Sequence, residues 1–244
     1  MKTVIEIKNL SLKIKNKIIL NRINLKIKEG EKIALIGKSG AGKTSLISIL
    51  NGSKKQTAGR INIYGKNFSD LDKYIKKDIG TIWQDLRLLE DLSVEQNVNC
   101  GLLAKENFLF SLCNLLNISS FRKAHKCMQL CKLDSNIFSK NINEISGGQK
   151  QRVAISRLII QEPKILFGDE PFNNLDPKLS DYIKSLFIFG INNYKLKLPN
   201  TIFLSIHRID LLDGFTRIIG LKNGEIIFNL KRDNLRHFHL EELY

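Results

Sequence analysis

The chain has 244 residues, with 39 Lys plus Arg against 24 Asp plus Glu, a formal net charge of +15, 43% hydrophobic and 26% charged residues. This is one large domain or two small ones of ordinary globular composition, which excludes disordered, collagen-like and coiled-coil classes. No run of about 18 residues is free of charge, so no membrane-spanning helix is expected, and Glu6 and Lys8 interrupt the apolar start where a signal peptide needs an unbroken core; the chain is expected in the cytosol.

The first 36 residues read as strands. Val4, Ile5 and Ile7 share one apolar run, and Ile23, Leu25 and Ile27 alternate with Asn24, Lys26 and Lys28, the period of a half-buried strand. After a turn at Glu29-Gly30, Lys32 to Ile36 is an apolar run bounded by Gly37, as in a buried parallel strand. Gly37 to Thr44 follows, then a helical pattern at Leu46, Ile47, Ile49 and Leu50 that Asn51-Gly52 ends. Strand patterns return at Arg60–Tyr64 and Ile79–Trp83. From about Leu92 to Gln161 they vanish, and four helix-length segments are expected at Val94–Lys105, Phe108–Leu116, Ser120–Cys131 and Gly148–Gln161. Beyond Pro163 come a strand at Ile165–Phe167, a helix after Pro177, a strand at Thr201–Ser205, and a hairpin turning at Asn223-Gly224 between Arg217–Leu221 and Glu225–Phe228. Strand, helix, strand alternation predicts an α/β fold with a mostly parallel sheet, interrupted by an all-helical insert.

The positive charge admits a nucleic-acid or anionic-membrane partner. It equally fits codon drift, because Lys outnumbers Arg 29 to 10, and Lys, Ile and Asn together supply 86 residues. Lys is spread along the chain without a block of like charge. Cys100, Cys113, Cys127 and Cys131 contain no C-x-x-C pair and read as reduced, half-buried thiols.

Chemistry concentrates in a few segments. Gly37-Lys38-Ser39-Gly40-Ala41-Gly42-Lys43-Thr44 fits G-x-x-x-x-G-K-[ST], between an apolar strand and a helix. The glycines let backbone N–H groups curl round a phosphate, and the helix start adds its positive dipole end. Lys43 is placed to reach the β and γ phosphates and the Thr44 hydroxyl to meet Mg²⁺. Lys164 to Phe167 leads through Gly168 to Asp169 and Glu170, an apolar run delivering two carboxylates to the end of a parallel strand, where ligands bind. Asp169 suits Mg²⁺, directly or through water, and Glu170 suits orienting or deprotonating an attacking water. Ser146-Gly147-Gly148-Gln149 opens another helix and offers backbone donors and a hydroxyl, a second phosphate-ready helix start. One nucleotide does not need two such sites, which suggests that one of them serves a nucleotide held mainly by another copy of the chain.

Gly37–Thr44, Gln84, Ser146–Gln149, Asp169-Glu170, Asp176 and His207 follow the order and spacing of the ATP-binding subunits of ABC transporters, and the chain resembles that family along essentially its whole length. The resemblance implies a P-loop NTPase core with a mostly parallel sheet, an N-terminal antiparallel β subdomain and a helical insert. The expected division is 1–91 and 162–244 for the core and 92–161 for the helical subdomain, within a single domain of 1–244. It implies hydrolysis of ATP with Mg²⁺ in a head-to-tail dimer, each site joining residues 37–45, Ser45 included, of one copy to Ser146–Gln149 and Asp176 of the other. By the same resemblance Gln84 senses Mg²⁺ or the water and couples to a permease, Lys43 and Glu170 are catalytic, and His207 contacts the γ-phosphate. Read without the family, Gln84 is a polar strand end, Asp176 a helix cap before Pro177, and His207 a structural histidine.

Three positions depart from the family pattern. Ile14 stands where an aromatic residue stacks on adenine, leaving a weaker apolar contact. Gly168 replaces an apolar residue and is expected to loosen the strand end. Asn173-Asn174 replaces small residues. The segment Ile82–Val98 and the helical insert resemble importer subunits, and Ser205–Leu212, Arg217–Phe228 and Glu242-Leu-Tyr are similar to the phosphonate importer (PhnC) group among them. That similarity implies a peripheral subunit on the cytoplasmic face of the inner membrane, with a separate permease, an extracytoplasmic solute-binding protein and no nucleic-acid partner. The alternatives left open are the ATPase of an exporter, a lipoprotein-release system or a cell-division complex, and a soluble ABC ATPase acting on nucleic acid.

Overall fold

The computed structural model describes residues 2–71, 73–190 and 196–244. In chain order the elements are β1 (Thr3–Ile14), β2 (Lys17–Lys28), β3 (Lys32–Ile36), α1 (Lys43–Leu50), β4 (Ala58–Ile63), β5 (Lys66–Asn67), α2 (Lys73–Lys77), β6 (Ile79–Ile82) and α3 (Val94–Asn99). They continue as α4 (Phe108–Leu115), α5 (Arg122–Leu130), α6 (Gly147–Gln161), β7 (Ile165–Asp169), α7 (Pro177–Phe189), β8 (Thr201–Ser205), β9 (Arg217–Lys222), β10 (Glu225–Lys231) and α8 (His237–Leu243). The chain forms two compact units, one from Met1–Ile79, Ile165–Glu170 and Asn200–Tyr244, the other from Gly80–Lys164 and Pro171–Pro199.

The first unit holds two sheets. β2, β1, β4 and β5 lie side by side, all antiparallel. Ile23, Leu25 and Ile27 of β2 are buried while Arg22, Asn24, Lys26 and Lys28 are exposed, so the period-2 pattern decides which face meets the core. In the second sheet the order runs β10, β9, β3, β8, β7, with β3 parallel to both β8 and β9 and β7 parallel to β8. β7 and β8 are buried at every residue, which is why they read as continuous apolar runs rather than alternations. Ile5, Leu10, Ile27, Leu46, Ile49, Phe167, Phe203 and Leu221 belong to the core of this unit, where Phe167 and Phe203 meet edge-to-face at 6.2 Å. β7 runs on through Gly168, which is paired to Leu204, with Asp169 paired to Ser205, so the register is kept to the end of the strand.

The second unit carries α3 to α7. α3 starts with a capping box between Ser93 and Gln96. It is shorter than its apolar pattern predicts, ending at Asn99 and tightening into a 3-10 turn at Cys100–Leu102. Gly101 lies in that turn, where a Cβ would stand 2.2 Å from the Arg157 carbonyl of α6, so the approach of the two backbones requires a residue without a side chain. α3, α5 and α6 bury Val94, Val98, Ala124, Cys127, Met128, Val153 and Ile155. Cys127 and Cys131 are fully buried rather than half-buried, while Cys100 and Cys113 are intermediate. Among the described residues no helix is long and apolar enough to cross a membrane.

Candidate functional site

β3 ends at Ile36 and the chain turns through residues 37–42 into α1. Two glycines make that turn possible. A Cβ on Gly37 would lie 2.2 Å from Leu221 O of the neighbouring strand, and Gly42 sits at φ +107° with Leu20 and the Ile19 carbonyl about it. Lys38, Ser39 and Gly40 are exposed, whereas Ala41 is buried and its carbonyl accepts from the Gly224 amide at 3.0 Å. Gly42 caps α1 without a side-chain hydrogen bond, so the first-turn amides have no capping side chain. Thr44 is exposed in that turn and Ser45 is partly buried.

Lys43 lies buried beneath the loop, its ammonium donating to Gly37 O at 2.7 Å and Lys38 O at 3.1 Å. Burial pushes its pKa below the ordinary lysine range, and the carboxylates of Glu170 and Asp169 push it back up. The basic group of the loop and the two acids at the end of β7 therefore share one electrostatic environment.

Ser205, at the end of β8 and fully buried, organises those acids. Its Oγ donates to Asp169 Oδ1 at 2.6 Å and accepts from the Glu170 amide at 2.8 Å. Among the described residues Asp169 Oδ2 is buried without a hydrogen-bond partner, an orphaned anionic oxygen of the kind a cation satisfies. Glu170 takes φ +49°, a left-handed conformation uncommon for a residue with a Cβ and frequent at functional sites. His207 is exposed two residues beyond Ser205. The first unit thus brings together Gly37–Thr44, Asp169, Glu170 and His207.

Gln84, Ser146–Gln149 and Asp176 belong to the second unit. Gln84 is exposed just after β6. Ser146 and Gln149 form a capping box at the start of α6: Ser146 Oγ accepts from the Gln149 amide at 3.3 Å and Gln149 Oε1 from the Ser146 amide at 2.8 Å. The serine oxygen read from sequence as an offered group is thus partly used in the cap, while the amides of the first helical residues, Gly147 and Gly148, lack i−4 acceptors within the helix. A Cβ on Gly148 would lie 2.8 Å from Asn174 O, so Gly148 and the Asn173–Asp176 segment are held together. Asp176 Oδ1 accepts from the Leu179 amide at 3.0 Å and Pro177 takes the first position of α7, which makes the cap reading true whatever else Asp176 does.

Two contacts were not anticipated. Ser205 could have been found as the one hydroxyl closing an apolar strand two residues before His207. Tyr244 gives no such signal: Leu243 is buried and Lys222 Nζ donates to Glu242 O, which ties α8 to β9, and the Gly37 backbone favours the ionised form of the Tyr244 phenol against its burial, which places the two close together.

The sequence model of the ABC transporter family matches residues 20–173. A phosphonates import ATP-binding protein, PhnC, of Fusobacterium nucleatum is 33% identical over 249 residues, covering 100% of this chain and 99% of that protein. The PhnC protein of Mesoplasma florum is 35% identical over 240 residues, covering 93% of each chain. Among solved structures, the dimeric bacterial ABC transporter cassette MJ0796 superposes with a TM-score of 0.81 at 28% identity, covering 93% of this chain and 98% of that one. Its post-hydrolysis dimer bound to ADP and Pi gives a TM-score of 0.80 at 29% identity.

Proposed function

The chain belongs to the ABC transporter family, and from that premise we propose that it is the ATP-binding and ATP-hydrolysing subunit of an importer for phosphonate or a related oxyanion. The observation that carries the ATPase reading is the glycine-built loop with the Lys43 ammonium buried beneath it on Gly37 O and Lys38 O, in the same unit as a strand end whose Asp169 keeps one buried oxygen unpartnered. The solute rests on relatives of full length named for phosphonate import.

ATP is the substrate. Amides of residues 38–45 receive its phosphates, and the Lys43 ammonium exchanges Gly37 O and Lys38 O for the β and γ oxygens. Asp169 Oδ2 and the Thr44 hydroxyl would hold Mg²⁺, which would neutralise developing phosphate charge; the orphaned Oδ2 fits that role. Glu170 orients or deprotonates the attacking water, His207 contacts the γ-phosphate, and Gln84 meets Mg²⁺ or the water. A second copy supplies Ser146–Gln149 and Asp176 across a head-to-tail dimer, in line with the dimers of MJ0796. As a functional division within one domain of 1–244 we assign 1–91 and 162–244 to the nucleotide-binding core and 92–161 to the helical subdomain, bounds that follow the motifs and differ from those of the two compact units. The subunit sits on the cytoplasmic face of the membrane against a separate permease, with an extracytoplasmic solute-binding protein delivering the oxyanion.

The test is to tag the chain, solubilise membranes gently and identify what co-purifies, then add phosphonates to the assembly and follow ATP hydrolysis. A multi-span permease with a binding protein whose phosphonate ligand stimulates turnover is expected. A membrane partner without any binding protein would overturn the importer reading and leave the ATPase mechanism standing.

A further inference from the structure

The turn after Gln84 contains two consecutive non-glycine residues in the left-handed region, Leu86 at φ +58° and Arg87 at φ +48°. L-residues adopt that conformation at a cost and hold it where surrounding contacts over-determine it. Within the turn, the Leu86 amide donates to Trp83 O at 3.1 Å and the Arg87 amide to Asp85 O at 2.6 Å, while the Arg87 guanidinium lies 3.4 Å from the centroid of the Trp83 ring. These contacts are all internal to the segment 83–87.

Arg157 of α6 anchors it from outside. Its Nη1 donates to Arg87 O at 2.6 Å and its Nη2 to Leu86 O, so one planar fork holds two successive carbonyls. A guanidinium supplies that fixed pair of donors and an ammonium does not. The anchor is itself fixed, because the Gly101 backbone lies against the Arg157 carbonyl with no room for a Cβ. Burial lowers the Arg157 pKa, opposed by Cys100 and by Asp85 of the same turn; a guanidinium stays charged throughout.

α6 is also the helix that opens with Ser146–Gln149. We propose that Arg157 is a positioning residue, a strut that fixes the Gln84 turn to the helix presenting the Ser-Gly-Gly-Gln segment, so that one rigid element sets the place of both. The inference rests on the reading of Gln84 given above. Lysine at 157 keeps the charge and most of the stem but cannot grip both carbonyls in one plane, so the strained turn loses its outer clamp and Gln84 its fixed position.

The experiment uses the complex with its membrane partner and compares Arg157→Lys, Gln84→Ala and the double variant for kcat, KM for ATP and thermal midpoint. Misplacing a reacting group by about an ångström costs on the order of 10²-fold, so Arg157→Lys is expected to lower kcat about 10–100-fold with KM for ATP within about 2-fold, since the phosphate loop is untouched. In the Gln84→Ala background the same change is expected to add almost nothing, because the positioned group is gone. Independent, multiplying losses would overturn the proposal. Amide exchange supplies a readout free of activity: faster exchange across 84–88 in Arg157→Lys with 37–45 unchanged is expected, and unchanged protection of 84–88 overturns the strut. If Gln84→Ala alone leaves kcat intact, the reading of Gln84 falls and exchange alone decides the strut. Should Arg157→Lys fail to fold, Arg157→Gln, which keeps a donor without the charge, is put through the same measurements.

Discussion

Ser205 Oγ stands 2.6 Å from Asp169 Oδ1 while accepting the Glu170 amide, so a single hydroxyl fixes the carboxylate assigned to Mg²⁺ and the backbone of the acid assigned to water. Ser205→Ala unpairs both at once. A hydrogen bond to a charged group contributes about 1.5–3 kcal/mol, and part of that is expected to appear as a roughly 10-fold weaker apparent Mg²⁺ affinity together with slower turnover. Titration of Mg²⁺ at fixed ATP measures it. An unchanged Mg²⁺ requirement would mean that Ser205 supports the strand end without orienting Asp169.

Glu170→Gln preserves the side-chain volume and the amide bonded to Ser205, and it removes only the basic oxygen. General-base catalysis contributes about 10²–10⁴-fold. Hydrolysis should fall by that order while MgATP binding persists and a closed dimer accumulates, visible by size-exclusion chromatography with ATP. Turnover near that of the parent chain would remove Glu170 from the proposed mechanism.

The glycine-rich loop was legible because its pattern is local: Gly37–Thr44 lies between an apolar strand and a helix, and Gly37 meets the Leu221 carbonyl at a distance no Cβ survives. β3, β7 and β8 were legible as continuous apolar runs for the same reason that they are buried on both faces. What sequence could not give is pairing across the chain. Ser205 meets Asp169 only because β7 and β8 run in parallel register, and Tyr244 reaches Gly37 only through the packing of α8. The close approach of Gly101 to Arg157 of α6 is likewise a contact between residues far apart in the chain, which local apolar periodicity does not reveal. Ile14, read as a weak substitute for an adenine-stacking aromatic, is 42% exposed at the end of β1, where its apolar surface is open to a base.

Cys127 and Cys131 give a stability test. Burial pushes the Cys127 thiol up to about 12, helped by Cys131; burial pushes Cys131 up to about 12 as well, against Ser156 and Arg152. In the unfolded chain these thiols ionise near pH 8.5. Between that pH and 12 the folded state therefore holds more protons than the unfolded state, and stability falls as pH rises. The contribution is intact below about pH 8.5 and is lost at up to about 1.4 kcal/mol per pH unit for each thiol. Urea midpoints between pH 7.5 and 10.5 should decline more steeply in the parent chain than in Cys127→Ala/Cys131→Ala. Parallel declines would show that the thiols titrate alike when folded and unfolded.

Lys43 offers the most direct test of the phosphate site. Without nucleotide its ammonium is satisfied by Gly37 O and Lys38 O, so ATP binding exchanges two neutral acceptors for anionic ones, and charge-assisted bonds are roughly twice as strong. Lys43→Ala forfeits that gain. At about 1.5–3 kcal/mol per bond to a charged group, ATP should bind about 10–150-fold more weakly by calorimetry. Lys43→Arg should not restore affinity, because a planar fork does not fit a buried position shaped around a point charge. Burial also lowers the Lys43 pKa, with Glu170 and Asp169 opposing. ATP affinity is therefore expected to fall on the alkaline side sooner than an ordinary lysine would allow, and that limb should be missing in Lys43→Ala. ATP binding by Lys43→Ala as tight as that of the parent would rule out residues 37–44 as the phosphate site.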